Sequence, residues 1–182
     1  MTLPVFETLR LTLRSITEHD AEGLHEAYAD AEAMRRWDHP PSRDVSQTAE
    51  RIRTSAEVDP RWHGIWAIQT HAGRFVGAIN YHAHNEQQRR LALGWILVPS
   101  SWRQGLMTEA ASPVISHCFT RLNVHRIEAL IEPQNQPSRG LAAKLGFTEE
   151  GLLRDWLCVA GEFRSVVMYS LLHTEWSYAP PS

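Results

Sequence analysis

The stretch "LGWILVPSSWRQGLMTEAA", Leu93 to Ala111, runs from an apolar segment through a polar corner into a helical pattern. The corner can hold an anion. The first four N–H groups of a helix have no internal partner, and the aligned peptide dipoles add roughly half a positive charge at that end. Gly105 would admit a ligand closely because it has no Cβ, Arg103 and Gln104 stand beside it, and Thr108 offers a hydroxyl one turn in. Glu109 suits the helix dipole but opposes a phosphate unless it points away. The corner is neither a Walker loop nor a dinucleotide fingerprint, since both need more glycines at fixed spacing. On these residues alone, a plain turn is the alternative.

The elements that must hold this corner are readable from periodicity. "LRLTLRSI" alternates Leu9, Leu11 and Leu13 with polar residues, which predicts a half-buried first strand. Thr17 and Asp20 have the spacing of a capping box, opening a helix with Leu24, Ala27, Tyr28 and Ala31 inward. A second helix over Val45 to Ala56 turns Ala49, Ile52 and Ala56 inward. "GIWAIQT", "FVGAINYHAH" and "LALGWILV" are expected to form an antiparallel meander. From Leu106, apolar residues recur at helical spacing through Phe119, with Pro113 an expected blemish. "HRIEALI" is a further strand, Asn135 the N-cap of a short helix, Gly146 its C′ residue, and "FRSVVMYSLL" a final strand. The expected fold class is α/β (α+β): a mixed, mostly antiparallel central sheet with helices on both faces. One domain over 1–176 and a loose tail at 177–182 are expected.

Bulk properties narrow the function. The chain has 182 residues, net charge −3, and 43% hydrophobic against 21% charged residues, an ordinary globular balance. Neither a basic nucleic-acid footprint nor an apolar run long enough to span a bilayer is present. No secretory signal opens the sequence, so a cytoplasmic location with no membrane partner and no direct nucleic-acid contact is expected. Cys118 and Cys158 read as two buried free thiols. "HAH" at His82 to His84 puts alternate residues on one strand face without closing a metal site, so no metal is expected.

The quoted corner resembles the acetyl-coenzyme-A loop of the GNAT N-acetyltransferases, in particular the RimJ/RimL-like branch. Trp102, Gly105, Leu106, Met107, Thr108, Glu109 and Ala110 match the pattern, while Arg103 stands where a glycine is usual. Downstream, "NQPSRGLAAKLGFTEEGLLRD" is similar to a second family block through Asn135, Ser138, Lys144, Gly146, Phe147, Glu150, Gly151 and Arg154. "LRLTLRSITEHDA" and "WAIQTHAGRFVGAINY" resemble the opening and middle elements, so the likeness spans nearly the whole chain.

The resemblance implies a GNAT fold with a splayed strand pair, "LALGWILV" and "HRIEALI", acetyl-CoA as donor and a primary amine as acceptor, either a protein N-terminus or a small molecule. It implies pantetheine bonded to backbone near Leu97 and Val98, and the pyrophosphate on amides from Arg103 through Gln104, Gly105 and Met107 to Thr108. It also implies Asn135 on the pantetheine arm and Ser138 as the catalytic contact to the departing sulfur. Residue chemistry alone reads Asn135 as a helix cap, and Ser138 as a hydroxyl bonded within its own turn. Arg139 and Lys144 are either solvated or partners of the 3′-phosphate. A homodimer is consistent with the family.

A neutral amine, an oxyanion donor and a proton for the thiolate are the three demands of acetyl transfer. The family's proposed base, a Glu, falls on Leu157 here, and Ser165 replaces an expected Asp. Asp155, Glu128, Glu132 and His82 remain as bases. An α-amine of pKa ~7.7–8.0 is about a tenth neutral at pH 7 whereas a lysine at ~10.4 is below a thousandth, which favours the former as acceptor. Trp37, Trp62, Trp66 and Trp156 are expected either around the acceptor groove or in packing. An idle acyl-CoA-binding protein, or transfer from another donor such as succinyl-CoA, is the alternative.

Overall fold

The computed structural model describes residues 3–177. Its strands are β1 (Phe6–Glu7), β2 (Leu11–Ser15), β3 (Gly64–Thr70), β4 (Phe75–Asn85), β5 (Arg90–Leu97), β6 (Arg126–Ile131), β7 (Thr148–Val159) and β8 (Glu162–Leu172). They form one sheet in the order β1-β2-β3-β4-β5-β6-β8-β7. Every neighbouring pair is antiparallel except β5 and β6, which run parallel. The helices are α1 (Ala21–Tyr28), α2 (Ala31–Met34), α3 (Val45–Ala56), α4 (Leu106–Thr120) and α5 (Gln136–Lys144).

Two cores follow from strand alternation. Leu11, Leu13, Ile79, Tyr81, Leu91 and Leu93 pack with the inner residues of α4 and α5. Ala67, Ala78, Ile96 and Val98 pack with Leu24 and Ala27 of α1, Met34 of α2 and Ile52 of α3 on the opposite face. The mixed sheet with helices on both faces is thus as the sequence predicts. Asp20 Oδ2 accepts the Thr17 N–H at 2.8 Å, and Asp44 Oδ1 accepts the Gln47 N–H at 2.9 Å, fixing the starts of the first and third helices. α4 continues through Pro113.

Several burial expectations are corrected. Leu9 is 77% exposed because it precedes β2, in the turn after β1. Ala56 ends α3 on an exposed position, and Thr48 takes the buried place beside Ile52 instead. Cys158 lies exposed on β7, while Cys118 is buried; both are free thiols. The "HAH" alternation fails because Ala83 has φ of 51° and the β4–β5 register shifts after His82. His82 therefore meets Asn80, whereas His84 bonds the Arg61 carbonyl. Among the described residues no helix is long and apolar enough to cross a membrane, and no group of three or more His, Cys, Asp or Glu could hold a metal ion. The tail expected at 177–182 lies outside the described residues from 178 onward.

Candidate active site

The parallel pair opens into a gap. β5 and β6 pair only over Arg90–Ala92 against Arg126–Glu128, although β5 continues to Leu97 and β6 to Ile131. Beyond Ala92 this edge of β5 has no neighbouring strand. The Val98 N–H donates to the Val76 carbonyl at 3.0 Å, on the β4 side. Of the two expected backbone contacts, Val98 therefore faces away from the gap. By alternation, the peptide groups of Leu97 and Trp95 face into it. The Leu97 carbonyl already accepts from Trp102 Nε1 at 2.9 Å.

After β5, a single 3₁₀ turn over Pro99–Ser101 leads to the corner. Arg103 and Gly105 both take left-handed backbone, φ of 60° and 73°. At Gly105 a Cβ would meet only Arg10 Nη2, at 3.8 Å, so packing leaves room and the backbone is what demands glycine. Gly105 is the N-cap of α4, and no side chain caps the helix there. The amides of Leu106, Met107 and Thr108 precede the first helical bond, Glu109 N–H to the Gly105 carbonyl at 3.2 Å. This open row of donors, beside a glycine with no side chain over it, fits a diphosphate.

A cleft of about 310 Å³ lies against that row, lined by Thr8, Arg10, Gly105, Thr108, Glu109, Ser112 and Lys144. Glu109 does not oppose an anion freely. It accepts from the Thr8 hydroxyl at 2.6 Å, the Arg10 N–H at 2.7 Å and Arg10 Nε at 2.6 Å. Burial alone would raise its carboxyl pKa, but these hydrogen bonds hold it below the usual value. Arg10 also donates to the Gln104 carbonyl at 3.1 Å, fastening the β1–β2 turn to the corner. Nothing local in the sequence marks Arg10, whose partners lie 94 and 99 residues away.

The remaining expected contacts divide. The Met107 side chain is buried in the core, so only its amide is available. Gln104 turns its side chain back to the Ser100 carbonyl at 3.0 Å. Arg103 is exposed beside the corner, and neither it nor Lys144 forms an ion pair among the described residues. Arg139 is engaged by the Tyr169 hydroxyl at 2.9 Å and Glu149 at 3.2 Å, which removes it as a phosphate partner. Asn135 caps α5 through the Ser138 N–H at 3.2 Å. The Ser138 hydroxyl accepts from Trp95 Nε1 at 3.4 Å, which brings the first turn of α5 to the strand bordering the gap. Sequence reasoning missed Trp95 in this role, since a tryptophan in an apolar strand reads as core.

Among the possible bases, Glu128 pairs with Arg126 at 2.8 Å and Arg90 at 3.1 Å, at the closed end of the gap. Glu132 pairs with Arg164 at 3.3 Å. Asp155 is exposed on the β7–β8 hairpin, its N–H donating to the Ser165 hydroxyl at 3.0 Å. His82 sits on β4 with Nδ1 3.4 Å from Asn80 Oδ1, and burial holds its pKa below the usual value. Of the four tryptophans, Trp66 is core, Trp37 packs with Tyr28 and His39, Trp62 lies by His84, and Trp156 is exposed on β7.

Residues 10–148 match the acetyltransferase (GNAT) domain family. The chain is 32% identical over 171 residues to the uncharacterized N-acetyltransferase YoaA of Bacillus subtilis (strain 168), covering 93% of this chain and 97% of that protein. It is 35% identical over 179 residues to the [ribosomal protein uS5]-alanine N-acetyltransferase of Escherichia coli (strain K12), covering 93% and 91%. Mycobacterium smegmatis RimJ, solved in complex with CoA-disulfide, superposes with TM-score 0.85 and 26% identity over 96% of this chain and 90% of that one. A parted strand pair leading to uncapped helix amides thus coincides with a family match across most of the chain: this protein belongs to the GNAT acetyltransferases, which move an acetyl group from acetyl-CoA to an amine.

Proposed function

We propose that this N-acetyltransferase acts on an amine of low pKa, the α-amine of a peptide N-terminus. The observation that carries this is the state of the carboxylates around the gap. Glu128 and Glu132 are spent in ion pairs with arginines, and Asp155 stands out on an exposed hairpin. None of these three carboxylates stands free inside the gap as a strong base for a lysine, or with the others as a cluster for a polycation. An α-amine, about a tenth neutral at pH 7, makes the smaller demand.

Acetyl-CoA supplies an activated thioester. The amides of Leu106, Met107 and Thr108 hold its diphosphate, Gly105 lets it approach, and Arg103 and Lys144 add cations at the rim. The Leu97 and Trp95 peptide edge holds the pantetheine arm, with the Leu97 N–H the donor for the oxyanion, and the Asn135 side-chain amide reaches the same arm. Ser138, already accepting from Trp95, keeps its own hydroxyl hydrogen for the departing sulfur. The exposed free thiol of Cys158 suits a reducing compartment, and the cytoplasm is the proposed location.

The test measures release of the coenzyme thiol from acetyl-CoA with an alanine-initiated hexapeptide, its Nα-blocked lysine counterpart, and spermidine. The hexapeptide is expected to react at least tenfold faster than the other two. Faster reaction of spermidine or the lysine peptide contradicts the acceptor assignment, and tight coenzyme binding with no turnover on any amine points to the idle binding protein instead.

A further inference from the structure

Resting on the acetyltransferase reading, we propose that His82 takes the proton from the attacking amine, and that Asn80 is a positioning residue that sets its ring. The amine must come over the α1/α3 face of the sheet, because Trp95 and Ser138 meet on the α4/α5 face of the gap. On the α1/α3 face, strand alternation lines up Asn80 and His82 on β4 with Gly94 and Ala92 on β5. Asn80 stands directly opposite Gly94, and His82 opposite Ala92. Gly94 alone separates Asn80 from the gap, whereas Ala92 still pairs with Glu128, so His82 stands at the closed end. A Cβ at Gly94 would lie 2.7 Å from Asn80 Oδ1, so any other residue would both displace Asn80 and obstruct the trough.

The ring is set by its neighbour. Asn80 Oδ1 can only accept, so the Nδ1 that faces it at 3.4 Å carries the hydrogen and Nε2 keeps the lone pair. Asp38, from the loop after α2, acts on His82, and His82 acts on His63, from the segment before β3; opposite His82 on β5 stands Ala92, and beyond it Glu128 of β6, held by Arg126 and Arg90. Burial lowers His82 more than Asp38 raises it, and burial likewise lowers His63, with His82 adding to the effect. Burial thus favours the neutral form of both rings. Among the four bases weighed, His82 alone is inside the fold without a cationic partner.

The bookkeeping of the step is closed. The amine nitrogen attacks the thioester carbonyl carbon, forming C–N and breaking C–S. The nitrogen's proton passes along a file of waters over Gly94 and past Asn80 to His82 Nε2. The sulfur leaves with the bonding pair and takes the Ser138 hydroxyl proton; solvent then reprotonates Ser138 and collects the proton from His82.

Two measurements test this on the full chain. In ¹⁵N imidazole NMR of the protein with coenzyme A, His82 is expected as the Nδ1–H form, titrating below 6.5, and the N80A variant is expected to lose that tautomer preference. With the alanine-initiated hexapeptide, log kcat/KM for the wild type is expected to rise with slope one up to the amine pKa, and with slope two below the His82 midpoint found by NMR, where His82 also protonates. H82Q should lower kcat about 100-fold, lose the second slope, regain part of its rate with added imidazole, and bind acetyl-CoA within twofold of the wild type. An Nε2–H tautomer, a midpoint above 7, or H82Q retaining both rate and slope overturns the proposal. Failure of the wild type to bind acetyl-CoA would instead overturn the coenzyme assignment on which it rests. If H82Q does not fold, or no amine reacts, the NMR result decides.

Discussion

On the α4 side of the gap the proposed contacts are peptide N–H groups of consecutive residues, Leu106 to Thr108, held by one left-handed glycine. On the α1/α3 side they are side chains brought from distant segments: Asp38 after α2, His63 before β3, Asn80 and His82 on β4, with space left by Gly94 on β5. The first is built from what every chain has, so it tolerates many side chains and demands one backbone conformation. The second depends on side-chain identity. The difference teaches where each kind of specificity resides: the diphosphate is common to every acyl-CoA, whereas the acceptor is what distinguishes one such enzyme from another.

The sharpest way to break this contrast is Gly105→Val. A β-branched residue at φ of 73° is strained by about 1–2 kcal/mol and enters the phosphate path. Acetyl-CoA affinity by calorimetry should fall about 100-fold while circular dichroism still shows the folded sheet. Unchanged affinity would mean that the corner is a turn and nothing more. The opposite signature is expected on the other side: Gly94→Val should lower kcat/KM for the peptide about 100-fold with acetyl-CoA affinity within twofold, because its side chain displaces Asn80. Equal losses of both would erase the distinction between the two regions.

Smaller changes sharpen it. Ser138→Ala should reduce kcat about tenfold, with the coenzyme affinity nearly unchanged, in single-turnover measurements. A loss in affinity alone would make Ser138 a binding residue. Arg10→Ala removes a half-exposed pair with Glu109, worth at most about 1 kcal/mol. It should also weaken acetyl-CoA binding severalfold, in a salt-dependent manner, by freeing the Glu109 charge beside the cleft. If affinity rises instead, Arg10 blocks the cleft rather than shielding it.

What was legible in the sequence was local. Asn135 as a cap, Gly105 at a helix start and Gly146 at a helix end are each dictated by a few neighbouring residues. The parting of β5 from β6 came from the family likeness, because periodicity says nothing about where two strands separate. What failed was set by distant contacts. Leu9 fits the alternation but lies in a turn, and Cys158 looks buried but faces outward from an edge strand; Trp66, open between groove and packing in the sequence, donates to the Pro4 carbonyl inside the core. Arg139 reads as either solvated or a phosphate partner, and the fold instead engages it with Glu149 and Tyr169. The ambiguity between His82 and the carboxylates has the same origin: an ion pair that neutralises a carboxylate is made by an arginine elsewhere in the chain.

The row of unpaired amides at the start of α4 is tested most directly by following backbone ¹H–¹⁵N resonances during titration with coenzyme A and, separately, with pantetheine, which lacks the diphosphate. Coenzyme A is expected to shift the amides of Gly105 through Thr108 and pantetheine to leave them in place while moving Trp95 and Leu97. Shifts at Trp95 and Leu97 from both ligands, with Gly105 through Thr108 still under coenzyme A, would contradict it.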